Sequence, residues 1–186
     1  MSLVELCEEG DLEGVKAALK RGVDVNTLNE YGRTGLMKAV INNHNVVVAL
    51  LLNSPNIDVN QKNDKGTCAL NFAPQWKNND GLKLLLNVPS IDVNIVDKRG
   101  YSAVYQAVVY GDNIEGLKLV LSHPSLTSLT LNMKDNDYGD TPVMLAVVWN
   151  RLEHLEVLAA DHRVDLDTTD KEGKSLEEVA FENYNW

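Results

Sequence analysis

Aromatic residues and positive charge are both scarce in this sequence. Only 6% of the 186 residues are aromatic although 44% are hydrophobic, so a buried core has to be built mainly from Leu, Val and Ala. Lys and Arg number 17 against 27 Asp and Glu, a formal net charge of −10. This balance argues against nucleic acid or an anionic membrane surface as a partner, because their phosphates would repel the chain. Basic peptides or basic protein patches fit the charge better.

Cysteine and long apolar runs are also nearly missing. Cys7 and Cys68 are the only cysteines, and their wide separation argues against a mutual disulfide and favours a reducing compartment. The longest apolar runs, such as residues 46–52, are far shorter than the roughly 20 residues that span a bilayer. No leader-like segment opens the chain, so we expect a cytoplasmic or nuclear protein. No phosphate-binding glycine loop or metal-ligand spacing occurs, and the sequence therefore predicts no cofactor and no metal.

A four-residue phrase recurs along the chain at a nearly constant interval. Successive copies end 34, 34, 38 and 35 residues apart. A period in this range is typical of a stacked solenoid, in which each repeat contacts its neighbours. The copies, which we expect to be short extended segments, are Val23-Asp24-Val25-Asn26, Ile57-Asp58-Val59-Asn60, Ile91-Asp92-Val93-Asn94, Leu129-Thr130-Leu131-Asn132 and Val164-Asp165-Leu166-Asp167.

Each phrase is followed by the same sequence of local signals. Six or seven residues on, a glycine predicts a turn tip with positive φ: Gly32, Gly66, Gly100, Gly139 and Gly173. A hydroxyl that can cap a first helix comes next in four units: Thr34, Ser102, Thr141 and Ser175. More apolar second helices are expected at residues 46–52, 81–86, 116–121 and 155–159. The unit after the third phrase carries extra residues near Asp112 and at 125–130, and the next hairpin holds one more before Gly139, which predicts a longer loop and an altered turn.

Together these signals resemble the ankyrin repeat. The resemblance is carried by Gly32-Arg33-Thr34-Gly35-Leu36-Met37-Lys38-Ala39-Val40 and by Asp140-Thr141-Pro142-Val143-Met144-Leu145-Ala146-Val147. It implies a mainly α fold, a solenoid of stacked helix-turn-helix units with β-hairpin-like loops, in one domain over residues 1–186. Its expected parts are an N-terminal cap (1–22), four repeats (23–56, 57–90, 91–128 and 129–163) and a C-terminal capping part-repeat (164–186). At the place of the family's first-helix histidine stand Met37, Asn71, Tyr105 and Met144, so its hydrogen bonds must be replaced or lost.

The resemblance also implies where a partner would bind. In this family the first helices line a concave palm and the turn tips project as fingers. Transferred position by position, the exposed palm residues are Asn42, Trp76, Tyr110 and Trp149, flanked by Ile41, Gln75, Val109 and Val148. The corresponding finger residues are Tyr31, Arg33, Lys65, Arg99, Tyr101 and Tyr138.

Three of these palm positions in succession are aromatic: Trp76, Tyr110 and Trp149. The expected core positions are already occupied by Ala39, Leu50, Ala73, Leu84, Ala107, Leu119, Ala146 and Val157. Exposed Trp and Tyr ringed by charged groups have the composition of a binding hot spot, although the rings could instead pack on one another and on the next helix. The sequence thus favours a non-enzymatic module that binds a protein or peptide, with its oligomeric state open.

The repeat at residues 57–90 departs most from the pattern. It has Cys68 where the other repeats have a capping hydroxyl, and Pro74 inside a helix. A cysteine at a helix start is expected to have a lowered pKa, so Cys68 is a candidate nucleophile for ester hydrolysis. The competing interpretation is a semi-buried cysteine in a threonine position. A natural adaptor and an engineered scaffold both fit this unusual repeat.

Overall fold

The computed structural model of the chain describes residues 1–110 and 113–184. The chain folds into short antiparallel helix pairs that stack side by side. Within these residues the helices are α1 (Leu3–Glu9), α2 (Leu12–Lys20), α3 (Gly35–Ile41), α4 (Asn45–Leu52), α5 (Ala69–Gln75), α6 (Asn79–Leu86), α7 (Ala103–Val109), α8 (Ile114–Leu121), α9 (Ser128–Leu131), α10 (Pro142–Val148), α11 (Leu152–Ala159) and α12 (Leu176–Tyr184). Two isolated antiparallel bridges, Leu28 with Thr34 and Thr169 with Ser175, are the β structure of the described part.

The helices stack in two layers. First helices contact one another in the order α1, α3, α5, α7, α10 and α12, and second helices in the order α2, α4, α6, α8 and α11. Alanines on the first helices let neighbouring repeats approach: Ala39, Ala73, Ala107 and Ala146 are at most 1% exposed, as expected.

The second helices bury a different stripe from the expected one. The residue that follows each expected one is fully buried, namely Leu51, Leu85, Val120 or Leu158, whereas the expected Leu50, Leu84, Leu119 and Val157 are only partly buried. The error has a physical reason. A helix such as α4, with sequence NVVVALLL, is apolar on almost every side, so its pattern does not define one inward face.

The finger turns have the expected tip geometry. All five tip glycines have φ between +66° and +84°. One residue at the base of each finger, Asn29, Asn63, Asp97, Asp135 or Asp170, accepts hydrogen bonds from two or more backbone N–H groups of its own turn. The fourth finger is wider, as expected from its extra residue. Gly139 donates to Asp135, four residues back, whereas Gly32 donates to Asn29, three back.

The repeated phrase joins repeats at the back of the solenoid. Asn60 illustrates the joint: its Nδ2 donates to the carbonyl of Ser90 at 2.7 Å, and its Oδ1 accepts from the N–H of Asp92 at 2.9 Å. Equivalent pairs of bonds reach the following repeat from each of the other phrase asparagines. We call this set the back ladder: Asn26, Asn60, Asn94 and Asn132.

None of the phrases is fully extended, contrary to expectation: the last two residues of the other copies lie in turns, and the fourth copy is largely helical. Residues 128–131 form the helical turn α9, and the N–H of Thr127, just before it, donates to Asn94 Oδ1 as the N–H of Asp58 or Asp92 donates to its ladder asparagine. The extra residues at 125–130 therefore add a turn beyond the joint and leave the ladder unbroken. The other expected insertion, near Asp112, lies outside the described residues.

Candidate functional site

A concave groove of about 910 Å³ lies between the first three fingers and helices α3, α5 and α7. We call it the N-terminal groove. Seven of the fourteen residues predicted for partner binding line it: Tyr31, Arg33, Lys65, Gln75, Arg99, Tyr101 and Tyr110. Residues from three successive repeats are thus brought to one surface by the stacking.

The four predicted palm residues Asn42, Trp76, Tyr110 and Trp149, which we call the concave row, hold equivalent positions. Each is the C-cap of its first helix. The chain then reverses through a left-handed residue at Asn43, Lys77 and Asn150, with φ of 59°, 55° and 52°. This geometry leaves the aromatic side chains half in water: Trp76 is 49% exposed, Tyr110 46% and Trp149 55%.

The residues preceding the concave row are less accessible. Ile41 is only 8% exposed and belongs to the main core, so its prediction as a contact residue is wrong. The last turn of α3 directs it inward because its neighbour Asn42 occupies the outer side. Gln75, Val109 and Val148 are half-buried, and each keeps some surface on the concave side.

Two arginines are held over aromatic rings in the groove. The guanidinium of Arg33 lies 5.5 Å from the ring centre of Phe72, and that of Arg99 lies 6.0 Å from the ring of Tyr101. Such stacking positions the guanidinium while leaving its N–H edge free to donate. Arg99 is also 3.9 Å from a carboxylate oxygen of Asp137, a long and exposed pair.

Tyr101 connects the third finger to the fourth. Its hydroxyl donates to Asp137 at 2.9 Å, and its ring stacks on Tyr105 with centres 4.1 Å apart and planes 12° from parallel. Burial of the hydroxyl, together with the neighbouring Asp137 carboxylate, raises the pKa of Tyr101. The finger residue is therefore a neutral hydrogen-bond donor at physiological pH.

Asn71 takes over the hydrogen bonds of the family's histidine in its repeat. It is fully buried, and its Nδ2 donates to the carbonyls of Ile95 and Tyr101 at 3.2 and 3.4 Å. Its Oδ1 accepts from the N–H and the thiol of Cys68 at 3.1 and 2.9 Å. This side chain therefore fixes the third finger against the helix below it.

Cys68 does not have the properties of a nucleophile. The side chain is fully buried, and desolvation raises the pKa of its thiol, which outweighs the backbone hydrogen bonds that act in the opposite direction. The expectation of a lowered pKa is therefore wrong. Pro74 lies one residue before the end of α5, where it removes one helix bond, the one that an N–H at this position would donate to the carbonyl of Leu70.

A second concave pocket, of about 350 Å³, lies at the other end of the solenoid. We call it the C-terminal pocket; it lies between the fourth and fifth fingers, α10 and α12. Tyr138 and Val148 line it, and Tyr138 is 70% exposed. Burial and the charges of Asp135 and Asp170 raise the pKa of Asp140 here from 3.8 to about 6.

Nine of the sixteen residues that line the N-terminal groove were not predicted to bind a partner, and three of them bear directly on its chemistry. Phe72 supports Arg33, Lys98 adds a cation, and Gln106 contributes an amide that is only 5% exposed. Lys98 could have been found, since it precedes Arg99 at the same tip. Phe72 and Gln106 look like ordinary helix residues, and only the stacking of repeats shows that they border the groove.

No helix in the described residues is long and apolar enough to cross a bilayer. A sequence profile of "Ankyrin repeats (3 copies)" matches residues 3–97 and 76–170. The chain therefore belongs to the ankyrin-repeat family, as its motifs indicated.

Among solved structures the chain is similar to a chain of the complex between the predatory endopeptidase Bd0816 of Bdellovibrio bacteriovorus and the immunity protein Bd3460. That match has a TM-score of 0.82 and 25% sequence identity, and it covers 98% of this chain and 92% of the other. Matches extend to 487 solved chains, so the fold by itself does not single out a partner. Comparison with curated proteins gave no match.

Proposed function

We propose that the chain is a protein-recognition module that binds its partner through the concave face, with Trp76, Tyr110 and Trp149 as anchors. One observation carries the proposal: three large aromatic side chains, each about half exposed, occupy the same position on successive first helices. Scattered surface aromatics would need no explanation, whereas a row of them beside a groove supports a binding site.

The chemistry around the row supports the same conclusion. Tyr, Trp and Arg are the residues most enriched at binding hot spots, and all three occur here with few alternative partners. The helices behind the row are stacked and their joints are hydrogen-bonded. A preformed face of this kind loses little conformational entropy when a partner binds.

Family membership and the similar solved complex, which contains two proteins, support a protein as the partner. We also propose that the partner carries basic groups, because the chain as a whole has a formal charge of −10. Tyr31, Arg33, Lys65, Arg99, Tyr101 and Tyr138 would form the finger side of the interface.

The test uses the chain as bait in an extract of its source cells, with a photo-crosslinking amino acid in place of Tyr110. The expected result is a crosslinked protein that is lost in a bait that also carries Trp76→Ala and Trp149→Ala. A second bait, with the crosslinker at Leu129, is a matched control because Leu129 is exposed but lies on α9, away from the row.

A further control replaces large exposed side chains elsewhere, through Leu129→Ala, Leu166→Ala and Phe181→Ala. These changes should leave capture unchanged. Equal capture by the concave-row variant, or an equal loss in this control, would rule out the concave row as the anchor.

A second candidate function is inhibition of an enzyme in the manner of an immunity protein. It is favoured by the match to the endopeptidase and immunity-protein complex, which covers nearly all of this chain. If this candidate is right, the captured partner will be a hydrolase whose activity falls as the chain is added in stoichiometric amounts. A partner whose activity does not change would exclude it.

A further inference from the structure

Charge is distributed very unevenly over the concave face. The N-terminal groove is lined by five cationic and three anionic side chains, a formal charge of +2, in a chain whose total is −10. The C-terminal pocket is lined by five anionic and two cationic side chains, a formal charge of −3. The two ends of one surface therefore prefer opposite charges.

The cations of the two ends also differ in how fully they are paired. In the C-terminal pocket, Lys171 Nζ donates to the carbonyls of Asn136 and Asp137, and Lys174 Nζ lies between Glu172 and Glu182 at 2.8 and 2.7 Å. In the N-terminal groove, only Lys38 is closely paired, with Glu8 at 2.5 Å.

The remaining groove cations are open to a ligand. Within the described residues the ammonium groups of Lys65 and Lys98 make no salt bridge. The guanidinium groups of Arg33 and Arg99 are supported from one side by rings. Among the described residues, Arg33, Lys65 and Lys98 thus have no carboxylate within 4 Å, and Arg99 has only the long, exposed contact to Asp137 at 3.9 Å.

The residues at the base of the fingers show that this charge difference is not required by the fold. The same turn is made by neutral Asn29 and Asn63 in the first two fingers and by Asp97, Asp135 and Asp170 in the last three. An amide oxygen and a carboxylate oxygen both accept the two backbone N–H groups. Turn geometry therefore does not fix the sign of the charge at either end.

An unsatisfied acceptor lies on the wall of the groove. Gln106 is only 5% exposed, and its Oε1 has no hydrogen-bond partner among the described residues. A buried acceptor without a donor costs stability, roughly 1–3 kcal/mol for a group of this kind. A backbone N–H of an incoming segment is a suitable donor, since it is uncharged and every residue except proline has one.

We propose that the N-terminal groove holds an acidic segment of the protein partner, with a backbone N–H of that segment donating to Gln106, while basic groups of the partner face the C-terminal pocket. This inference rests on the proposed function and specifies the chemistry of the partner. The charge reversal along the face also sets the direction in which the partner lies.

The first experiment titrates the full chain with two labelled peptides of about twelve residues, one alternating Glu with Leu and Trp, the other alternating Lys with Leu and Trp. Anisotropy at about 50 mM salt should show binding of the acidic peptide, which weakens steeply as salt is raised. Amide NMR shifts should locate it at Arg33, Lys65 and Gln106, and should locate the basic peptide at the fourth and fifth fingers.

A charge-reversal pair then separates local from long-range effects. Lys65→Glu with Lys98→Glu should weaken binding of the acidic peptide by roughly tenfold or more. Lys20→Glu with Lys118→Glu changes the net charge by the same amount, but these residues lie on the second helices α2 and α8. This variant should change the affinity for the acidic peptide less than about twofold. Equal effects of the two variants would overturn the inference.

The Gln106 contact has its own test. Gln106→Met keeps the length of the side chain but removes the unsatisfied acceptor, so the variant should be as stable as the parent or more stable, yet bind the acidic peptide several-fold more weakly. Gln61→Met is the control, because Gln61 Oε1 also lacks a hydrogen-bond partner among the described residues but does not line the groove, and it should leave binding unchanged. A loss of stability in Gln106→Met with unchanged affinity would show a structural role and overturn this part.

Two further outcomes count against the inference. In the first, the acidic peptide does not bind although the concave-row variant still loses the captured partner. This result would support the proposed function and exclude an acidic segment as the occupant of the N-terminal groove. A dimer in sedimentation experiments that dissociates on Lys65→Glu with Lys98→Glu would make a second copy, with its acidic C-terminal pocket, the occupant instead.

Discussion

The back of the solenoid and its concave face vary in opposite ways from repeat to repeat. At the back, every residue of the ladder is asparagine and makes the same pair of bonds to the next repeat. On the concave face, the equivalent residues change from Asn42 to Trp76, Tyr110 and Trp149. A position that joins repeats has to match its neighbours, whereas a position facing water is free to be set by a ligand.

The largest expected effect comes from breaking the back ladder. Asn60→Ala with Asn94→Ala removes four inter-repeat bonds to backbone groups and should lower the free energy of unfolding by about 2–6 kcal/mol, at 0.5–1.5 kcal/mol for each bond. Because the repeats are coupled through these joints, the urea transition should also broaden.

The matched control is Asn42→Ala, since Asn42 Nδ2 donates only within its own helix, to the carbonyl of Lys38. This substitution should lower the free energy of unfolding only slightly. An equal cost for both variants would show that the ladder has no special part in joining repeats.

A smaller change, an increase in stability at neutral pH, is expected when Asp140 is replaced. Its pKa is raised from 3.8 to about 6, so the folded chain prefers the protonated acid. The associated stability is present below pH 3.8 and is lost as the pH rises through about 6.

Asp140→Asn should therefore raise Tm at pH 7 and flatten its dependence on pH between about 4 and 7. Calorimetry across this range is the measurement. A steeper pH dependence in the variant would contradict the assignment. A higher Tm for the variant would show that the concave face, unlike the back ladder, keeps a charge at a cost in stability.

Cys68→Ser should stabilise the chain slightly, by about 0.5–1 kcal/mol, because it restores the hydroxyl cap found at Thr34, Ser102 and Thr141. Cys7→Ser is the control with the opposite expected sign. Cys7 is equally buried but lies inside α1, where a hydroxyl has no cap to form. Chemical denaturation distinguishes the two, and a gain in both would argue against the capping explanation.

The smallest effect on stability is expected at the finger tips. Tyr31→Ala and Tyr138→Ala should each change the free energy of unfolding by less than about 0.5 kcal/mol, since these rings are 68% and 70% exposed. The same change at Tyr105, which is 2% exposed and stacked on Tyr101, should cost about 3–5 kcal/mol. Thermal unfolding of the three variants measures the contrast, and a large loss at either finger tip would contradict it.

Most of the fold could be predicted because its signals are local. The tip glycines need positive φ, and the hydroxyl caps and the concave row occupy fixed places relative to a helix. The inward face of α4 could not be predicted, since Val46 to Leu52 offers apolar residues on every side.

The site was harder to predict because it depends on contacts about one period apart. Arg33 meets Phe72, and Tyr101 meets Asp137, only after the repeats have stacked. Cys68 shows a second difficulty. A helix start lowers a thiol pKa and burial raises it, and only the extent of burial decides which effect is larger.

The extra turn α9 has a practical consequence. Since the N–H of Thr127 donates to Asn94 before α9 begins, residues 128–131 add length without disturbing the joint. Leu129 on this turn is 74% exposed. A fluorophore, an affinity handle or even a small folded domain could be attached there, so the molecule offers an anchoring point for immobilisation that leaves both ends of the concave face accessible.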